Sequence, residues 1–321
     1  MMIKYKLDIY PETKDKYRLK AIINTREIIN KYPKKITNYK QIENIDGIGK
    51  GSIRRIKEIL ETNNLSEINN FNDNVKYIKY TEELEKIFGI GRKKAYELYF
   101  NYGIKSIDEL KKKFVFDIVA KNKILLPKQI MVGLKYINNL TVSIPRHDID
   151  EINSYIKQIL TSVNIFIIGI ICGSYRRKML TSGDIDLLIS SCDVITKKDI
   201  SKYNYFKIII DTLINKKFII DSLFDINKIS TSFMGFCRFN NKIMRIDIRY
   251  VPMESFYYAL LHMTGPKNFN MNIRNIAKTK GFKLNEYGLI DKHKKNIGQN
   301  VNSEQDIFKL LDIKYIPPES R

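Results

Sequence analysis

The apolar residues of this chain change period partway along, and the change restricts the folds open to it. From Lys14 to about Asn70 they recur at helical intervals, as in Ala21, Ile22, Ile28 and Ile29 and again in Ile53, Ile56, Ile59 and Leu60. After Pro145 a helical stretch over 149–160 runs into an apolar strand over 165–171, and β-rich segments follow, "FMGFCRF" and "KIMRIDIRYV" among them. Helices first and a sheet later predict an α+β chain. A basic helical part comes first, then a mixed sheet with flanking helices from Arg146 to about Met253, then a helical-then-mixed segment from Glu254 to Arg321. No low-complexity linker separates them.

The helical part repeats itself. "IENIDGIGKGSIRRIKEIL" at 42–60 has a counterpart in "LEKIFGIGRKKAYELYFNYGI" at 84–104, each with Gly-Ile-Gly after an apolar stretch. Ile53 and Ile56 follow the second glycine of one copy at the same offsets as Ala95 and Leu98 in the other. The pattern predicts a helix, a tight hairpin at Gly47 and Gly49 or at Gly89 and Gly91, and a second helix. The unpaired N–H groups and dipole at that helix start attract a phosphate, so the hairpin would hold a nucleic-acid backbone without reading bases. One copy alone is equally well an ordinary helical turn ending on glycine. Two copies in a basic chain favour the phosphate clamp.

Charge points the same way. Against 35 Asp and Glu stand 56 Lys and Arg, a net charge of +21 that favours an extended polyanion, nucleic acid above all. An AT-rich coding sequence would enrich Lys, Ile, Asn and Tyr, but it does not by itself create such an imbalance. Cys172, Cys192 and Cys237 are odd in number and lack metal-ligand spacing, which argues against a disulfide framework or a zinc site and for a reducing, intracellular setting. The apolar run from Ile165 to Cys172 is too short to span a bilayer, and "MMIKYKLDIY" lacks the hydrophobic region of a signal peptide, so no membrane is expected.

Within "GDIDLLI", read as a strand, Asp184, Asp186 and Leu188 share one face. Within "RIDIR", Arg245, Asp247 and Arg249 share one face, so neighbouring strands would bring three carboxylates together. Such a cluster repels itself and persists with a cation; oxygen ligands select a hard one, Mg²⁺. Two such ions suggest phosphoryl chemistry. An isolated Asp-x-Asp is more often a surface turn, but "CGSYRR" just upstream can place backbone N–H groups, a hydroxyl and Arg176 or Arg177 around a triphosphate. Asp148 and Asp150 form a second Asp-x-Asp in "PRHDIDEI"; they open a helical pattern, where acidic residues need no catalytic explanation. His147, His262 and His293 are scattered, which gives little support to zinc or to a Ser-His-Asp triad.

Taken in order, two hairpin repeats, "GSYRR", "SGDIDLLI", "RIDIRYVP", "MTGPKNFNMNIR", "GFKLNEYGL" and "SEQDIFKLLDIKYIPPE" resemble the family X DNA polymerases over nearly the whole chain from about Tyr17. The resemblance implies a helix-hairpin-helix region followed by a fingers, palm and thumb polymerase domain with a mixed sheet of nucleotidyltransferase type. It implies that Asp184, Asp186 and Asp247 bind two Mg²⁺ ions, with Mn²⁺ as a substitute. Ser174, Arg177, Gly183 and Asn270 match residues at the incoming nucleotide, and Arg245 and Arg274 match residues at the primer and template. The carbonyls of Glu43, Ile45 and Ile48, and of Glu85, Ile87 and Ile90, match sites that hold Na⁺ or K⁺ against a DNA phosphate.

The implied division is 1–70, a basic lyase-like domain with the first hairpin; 71–145, a helical subdomain with the second; 146–253, the catalytic palm; and 254–321, the nucleotide-selecting thumb. The expected activity is template-directed filling of short gaps in DNA repair without proofreading. Gapped or nicked DNA and deoxynucleoside triphosphates are the expected partners, a DNA ligase a further one, and the chain is expected to be a monomer. The expected compartment is the nucleus, or cytoplasm or virion for a viral protein. Alternatives are a template-independent terminal transferase and a catalytically silent DNA-binding protein; the short segment between Phe239 and Arg245 opposes the first, and retention of all three aspartates with Ser174 and Arg177 opposes the second. His262-Met263 stands where the family carries an aromatic pair, which leaves deoxyribose selectivity open. Arg55 stands at the family's lyase lysine, and a guanidinium does not lose its proton to form an imine. Lys50, at the hairpin, is the less excluded substitute amine, whereas Lys57, two positions from Arg55 on a helix, points roughly to the opposite face.

Overall fold

The computed structural model describes residues 15–66, 76–120, 126–139, 142–293, 296–298 and 301–321. The N-terminal stretch read for a signal peptide and the boundary expected at 70/71 lie outside them. Two compact units divide the chain, Met1–Leu134 and Lys135–Arg321.

The first unit is helical: Asp15–Lys31, Lys50–Thr62, Lys76–Leu84, Arg92–Tyr102 and Ile107–Ala120, with Lys128–Lys135 at its end. Each Gly-Ile-Gly becomes a tight turn whose first glycine, Gly47 or Gly89, has φ near +90°, a conformation that side chains other than glycine adopt at a cost. The second glycine is the N-cap of the next helix. The turns differ in what precedes them: a 3₁₀ turn, Tyr39–Gln41, before the first and the helix Lys76–Leu84 before the second. Ala95 and Leu98 are fully buried as their spacing predicts, and Gly133 lets its helix approach Phe88, whose carbonyl a Cβ would meet at 2.6 Å.

The apolar pattern misleads in one place. Ile59 and Leu60 are exposed, 43% and 38%. Thr25 and Ser52 are instead the buried residues where Asp15–Lys31 meets Lys50–Thr62, their hydroxyls 2.9 Å apart while Thr25 also donates to the Ala21 carbonyl at 2.8 Å. Two hydroxyls that satisfy each other and the backbone can be buried at little cost, so the contact needs no apolar stripe.

The second unit is built on β1 (Ile144–Pro145), β2 (Ile167–Ile171), β3 (Thr181–Ser182), β4 (Ile185–Ser191), β5 (Ile219–Ser222), β6 (Ser232–Phe239), β7 (Lys242–Tyr250), β8 (Lys283–Asn285) and β9 (Gly288–Ile290). The main sheet runs β2-β4-β7-β6-β5, with β4 and β7 parallel and every other pair antiparallel. It is therefore mixed. Ile149, Ile152, Ile156 and Ile159 of the helix Arg146–Val163, with Phe206, Ile209, Ile210 and Leu213 of Tyr205–Asn215, pack against Ile185, Leu187, Ile189, Ile246 and Ile248. Each fully buried side chain of this kind contributes roughly 1.5–3 kcal/mol.

The opposite sheet face is divided between apolar and acidic residues. Leu188 and Cys172 are covered by Phe256, Ala259 and Leu260 of the helix Phe256–Thr264. Beyond it, the helices Lys267–Thr279 and Glu304–Leu310 enclose a separate core with Tyr258, Leu261, Ile273, Leu289 and Phe308. The strand expected over 165–171 begins at Ile167, and Ile165 and Phe166 are exposed before it. Among the described residues no helix is long and apolar enough to cross a membrane.

Candidate active site

Parallel pairing of β4 and β7 sets Asp186 directly beside Asp247. Asp184 lies just before β4 rather than in it, and the turn still brings it to the same place. Ligand oxygens of the three lie within 4.8 Å of one another, the carboxylate cluster with this geometry among the described residues. Burial, followed by the charges of Asp184 and Asp247, pushes the Asp186 carboxyl up to about 7. Burial likewise raises Asp247 to about 6, with Asp184 adding to the shift and Arg245 opposing it.

Arg245, one step along the same face of β7, donates to Asp184 and lies 3.3 Å from Asp247, so one guanidinium partly offsets two carboxylates. It does not complete the site. The Oδ1 atom of Asp247 is buried without a partner among the described residues, and a buried carboxylate oxygen left so is costly unless something positive reaches it. Three hard oxygen donors, one of them unpartnered, fit a divalent cation such as Mg²⁺.

"CGSYRR" forms a short helix, Gly173–Arg176, against these carboxylates. Gly173 has φ +54°, and a Cβ there would run into the Asp186 carboxylate, so only glycine allows the turn to approach so closely. The structure separates the two arginines left open by the sequence. Arg176 turns away, donating to Thr264 Oγ1 at 2.7 Å and to both oxygens of Glu304 at 3.2 and 2.7 Å. Arg177 turns toward the site, donating to the Thr264 carbonyl at 2.5 Å.

A cavity of about 660 Å³ opens beside the acidic pair, and Ser174, Arg177, Asp184, Asp186, Asn270 and Arg274 line it. Gly183 is not in the lining; it is exposed immediately before Asp184. Asn270 donates to the His262 carbonyl at 2.7 Å. Arg274 Nη2 lies 3.1 Å from His262 Nδ1 and 3.7 Å from Glu286. Burial holds the His262 imidazole below its usual pKa, and the nearby guanidinium of Arg274 pushes the same way, which favours the neutral ring as acceptor of that contact.

Sequence reasoning missed Lys267 and Met271, which also line the cavity. They lie in the quoted segment "MTGPKNFNMNIR", Lys267 three residues before Asn270 and Met271 three before Arg274, so helix spacing was the available signal. It also missed the clamp behind Arg176. Glu304, 4% exposed, joins Arg176 to Arg321, whose guanidinium is fully buried over the Phe269 ring at 5.0 Å. The second Asp-x-Asp is structural: Asp148 accepts from Lys242 at 2.6 Å and Asp150 from the Tyr175 hydroxyl at 2.6 Å.

In the helical unit, Glu43 is exposed, Ile45 half-buried and Ile48 buried around the first turn; Glu85 is half-buried and Ile87 and Ile90 are buried around the second. The Ile45 carbonyl accepts from the Ile48 N–H and that of Ile87 from Ile90, at 3.2 and 3.0 Å. Among the described residues nothing comes within 4 Å of a Cβ placed at Gly49 or Gly91, so neither helix start is covered by them.

A mixed sheet that holds three converging carboxylates beside a cation-lined cavity has the architecture of a nucleotidyltransferase palm. Residues 143–253 match the family described as DNA polymerase beta palm, 259–321 the DNA polymerase beta thumb, and 82–141 the fingers domain of DNA polymerase lambda. The chain is 28% identical over 322 residues to DNA polymerase lambda of Rattus norvegicus, covering 96% of this chain and 53% of that protein. With DNA polymerase lambda of Arabidopsis thaliana the identity is 25% over 318 residues, covering 92% and 56%. The chain belongs to the family X DNA polymerases. It spans about half the length of these curated relatives.

Proposed function

We propose that this chain is a DNA-directed DNA polymerase that adds deoxynucleotides to a primer 3′ hydroxyl, filling short gaps during repair. The observation that carries the reading is the pairing of Asp186 with Asp247 in parallel register, joined by Asp184, at the mouth of the cavity lined by Ser174 and Arg177. The DNA polymerase lambda relatives support DNA and deoxynucleoside triphosphates as substrates.

Two Mg²⁺ ions at Asp184, Asp186 and Asp247, with Mn²⁺ as a substitute, would supply charge that activates the primer hydroxyl and offsets the leaving pyrophosphate. The chain's own groups do the rest. Arg245 holds Asp184 and Asp247 in place near the primer end. Ser174 and Arg177 bind the triphosphate, with Gly183 beside them, and Asn270 and Arg274 pack against the nascent pair from the thumb. The hairpins at Gly47 and Gly49 and at Gly89 and Gly91 hold DNA phosphates, with Na⁺ or K⁺ at the carbonyls of Glu43, Ile45, Ile48, Glu85, Ile87 and Ile90.

Template dependence is supported by the β6–β7 connection, a two-residue turn of Asn240 and Asn241. Its arms are tied down by Asn240 donating to Glu151 at 2.9 Å and Lys242 to Asp148. Lyase activity is weak or absent: Arg55 donates to the Gly51 carbonyl at 3.1 Å, and Lys57 packs over the Tyr39 ring at 5.4 Å. The subdomain limits 1–70, 71–145, 146–253 and 254–321 belong to this reading, as do action as a monomer inside the cell and hand-over to a ligase. Primer extension on single-nucleotide-gapped DNA tests it: Mg²⁺-dependent addition of the template-complementary nucleotide is expected, and no extension, or efficient tailing of single strands, overturns it.

A further inference from the structure

A second basic groove lies away from the carboxylates, in the unit Lys135–Arg321. It has a volume of about 600 Å³ and is lined by Lys135, Tyr136, Asn139, Lys217, Arg238 and Ile243 among others, with no acidic residue among the described residues of its walls. Its cations are not equivalent. Lys135 is paired with Asp221 at 2.8 Å, whereas Lys217 and Arg238 are exposed and have no carboxylate partner among the described residues. They are neighbours, since the Arg238 N–H donates to the carbonyl of Phe218, next to Lys217, at 2.8 Å.

Register fixes which way the groove faces. Arg238 pairs across β6 and β7 with Ile243, and Ile243 shares its face of β7 with Arg245 and Asp247. The Arg238 and Ile243 wall of the groove therefore lies on the face that carries the catalytic carboxylates, while Ile214 and Ile219 line it from the core side and set Lys217 at the edge of the sheet. Asp247 lies four positions beyond Ile243, ~13 Å along the strand. That is about four base-pair rises of duplex DNA at 3.4 Å each. Lys217 adds a second observation. Its φ is +56°, at the position just past the end of Tyr205–Asn215 where glycine is the usual residue and any other is strained by roughly 1–2 kcal/mol. A lysine sits where glycine would be more stable.

We propose that Lys217 and Arg238 form an additional phosphate-binding site that grips the backbone of the DNA duplex about four base pairs from the catalytic aspartates. This rests on the polymerase reading for its substrate. Two released counterions should show directly in the salt dependence of binding.

The experiment measures affinity of the full chain for a primer–template duplex as a function of salt, for wild type, Lys217→Gly, Arg238→Gln and the double variant. Lys217→Gly removes the charge and relieves the backbone, so its melting temperature should not fall. The expected slope of log K against log salt is shallower by about 0.9 in each single variant and about 1.8 in the double one. Lys217→Arg should keep the wild-type slope. An unchanged slope in the double variant with an intact melting temperature overturns the proposal. Binding is read apart from nucleotide addition. An unchanged slope with extension retained therefore sinks the groove alone, and a shallower slope with no extension by wild type supports the groove while sinking the polymerase reading.

Discussion

Burial raises the Asp186 and Asp247 carboxyls to about 7 and about 6, whereas an unfolded aspartate titrates near ~3.9. Between about pH 4 and pH 7 the folded chain therefore binds more protons than the unfolded one, and the contribution of these groups to stability falls as pH rises through that window. The net charge of +21 favours high pH over the rest of the molecule, so the comparison must be with Asp186→Asn/Asp247→Asn. In chelator, the melting temperature of wild type relative to that variant should decline from pH 5 to pH 8, and Mg²⁺ should raise wild type more at pH 8. A constant difference would contradict the linkage. Asp247→Asn alone should lower incorporation by at least about 10²–10³-fold, the cost of removing one electrostatic stabiliser, with DNA affinity nearly unchanged. These aspartates were legible in the sequence because period-2 alternation places them on one face. Their raised pKa values were not, since burial depends on what covers the sheet.

Glycines at the turns separate two effects at the scale of the element. Gly173→Ala forces a Cβ into the Asp186 carboxylate from a positive-φ residue, so both stability and incorporation should fall. Gly49→Ser and Gly91→Ser meet open space and supply a good N-cap, so melting temperature should hold or rise while duplex affinity drops, because the new side chains occupy the helix start where a phosphate would sit. Retained affinity, measured by fluorescence anisotropy, would rule out phosphate contact there. The helices and the main strands follow from periodicity, and the carboxylate strand β4 does so except at Asp184, which alternation places in the strand and the fold leaves just before it. Leu188 is buried on the acidic face only because Phe256–Thr264 covers it, and Thr25 and Ser52 are buried as a hydrogen-bonded pair, which no hydropathy pattern contains.

Across the whole molecule the Glu304 clamp is the contact that periodicity could not reveal, because it joins Arg176 to residues 128 positions later. Glu304→Ala should leave Arg176 and the fully buried Arg321 without their carboxylate and cost about 3–5 kcal/mol, the penalty of breaking a buried pair from one side. Calorimetry should then record a fall in melting temperature of roughly 10 °C. The β4–β7 pair has a consequence of another kind. Parallel neighbours cannot be joined by a hairpin, and here β5 and β6 and the helix Tyr205–Asn215 are threaded between them in sequence. Asp186 therefore meets Asp247 only after a long loop has closed, among the slowest steps available to a chain. During refolding, tyrosine fluorescence from the early helices should recover first, and Mg²⁺ affinity should return last, so the metal seat serves as a clock for the completion of the sheet.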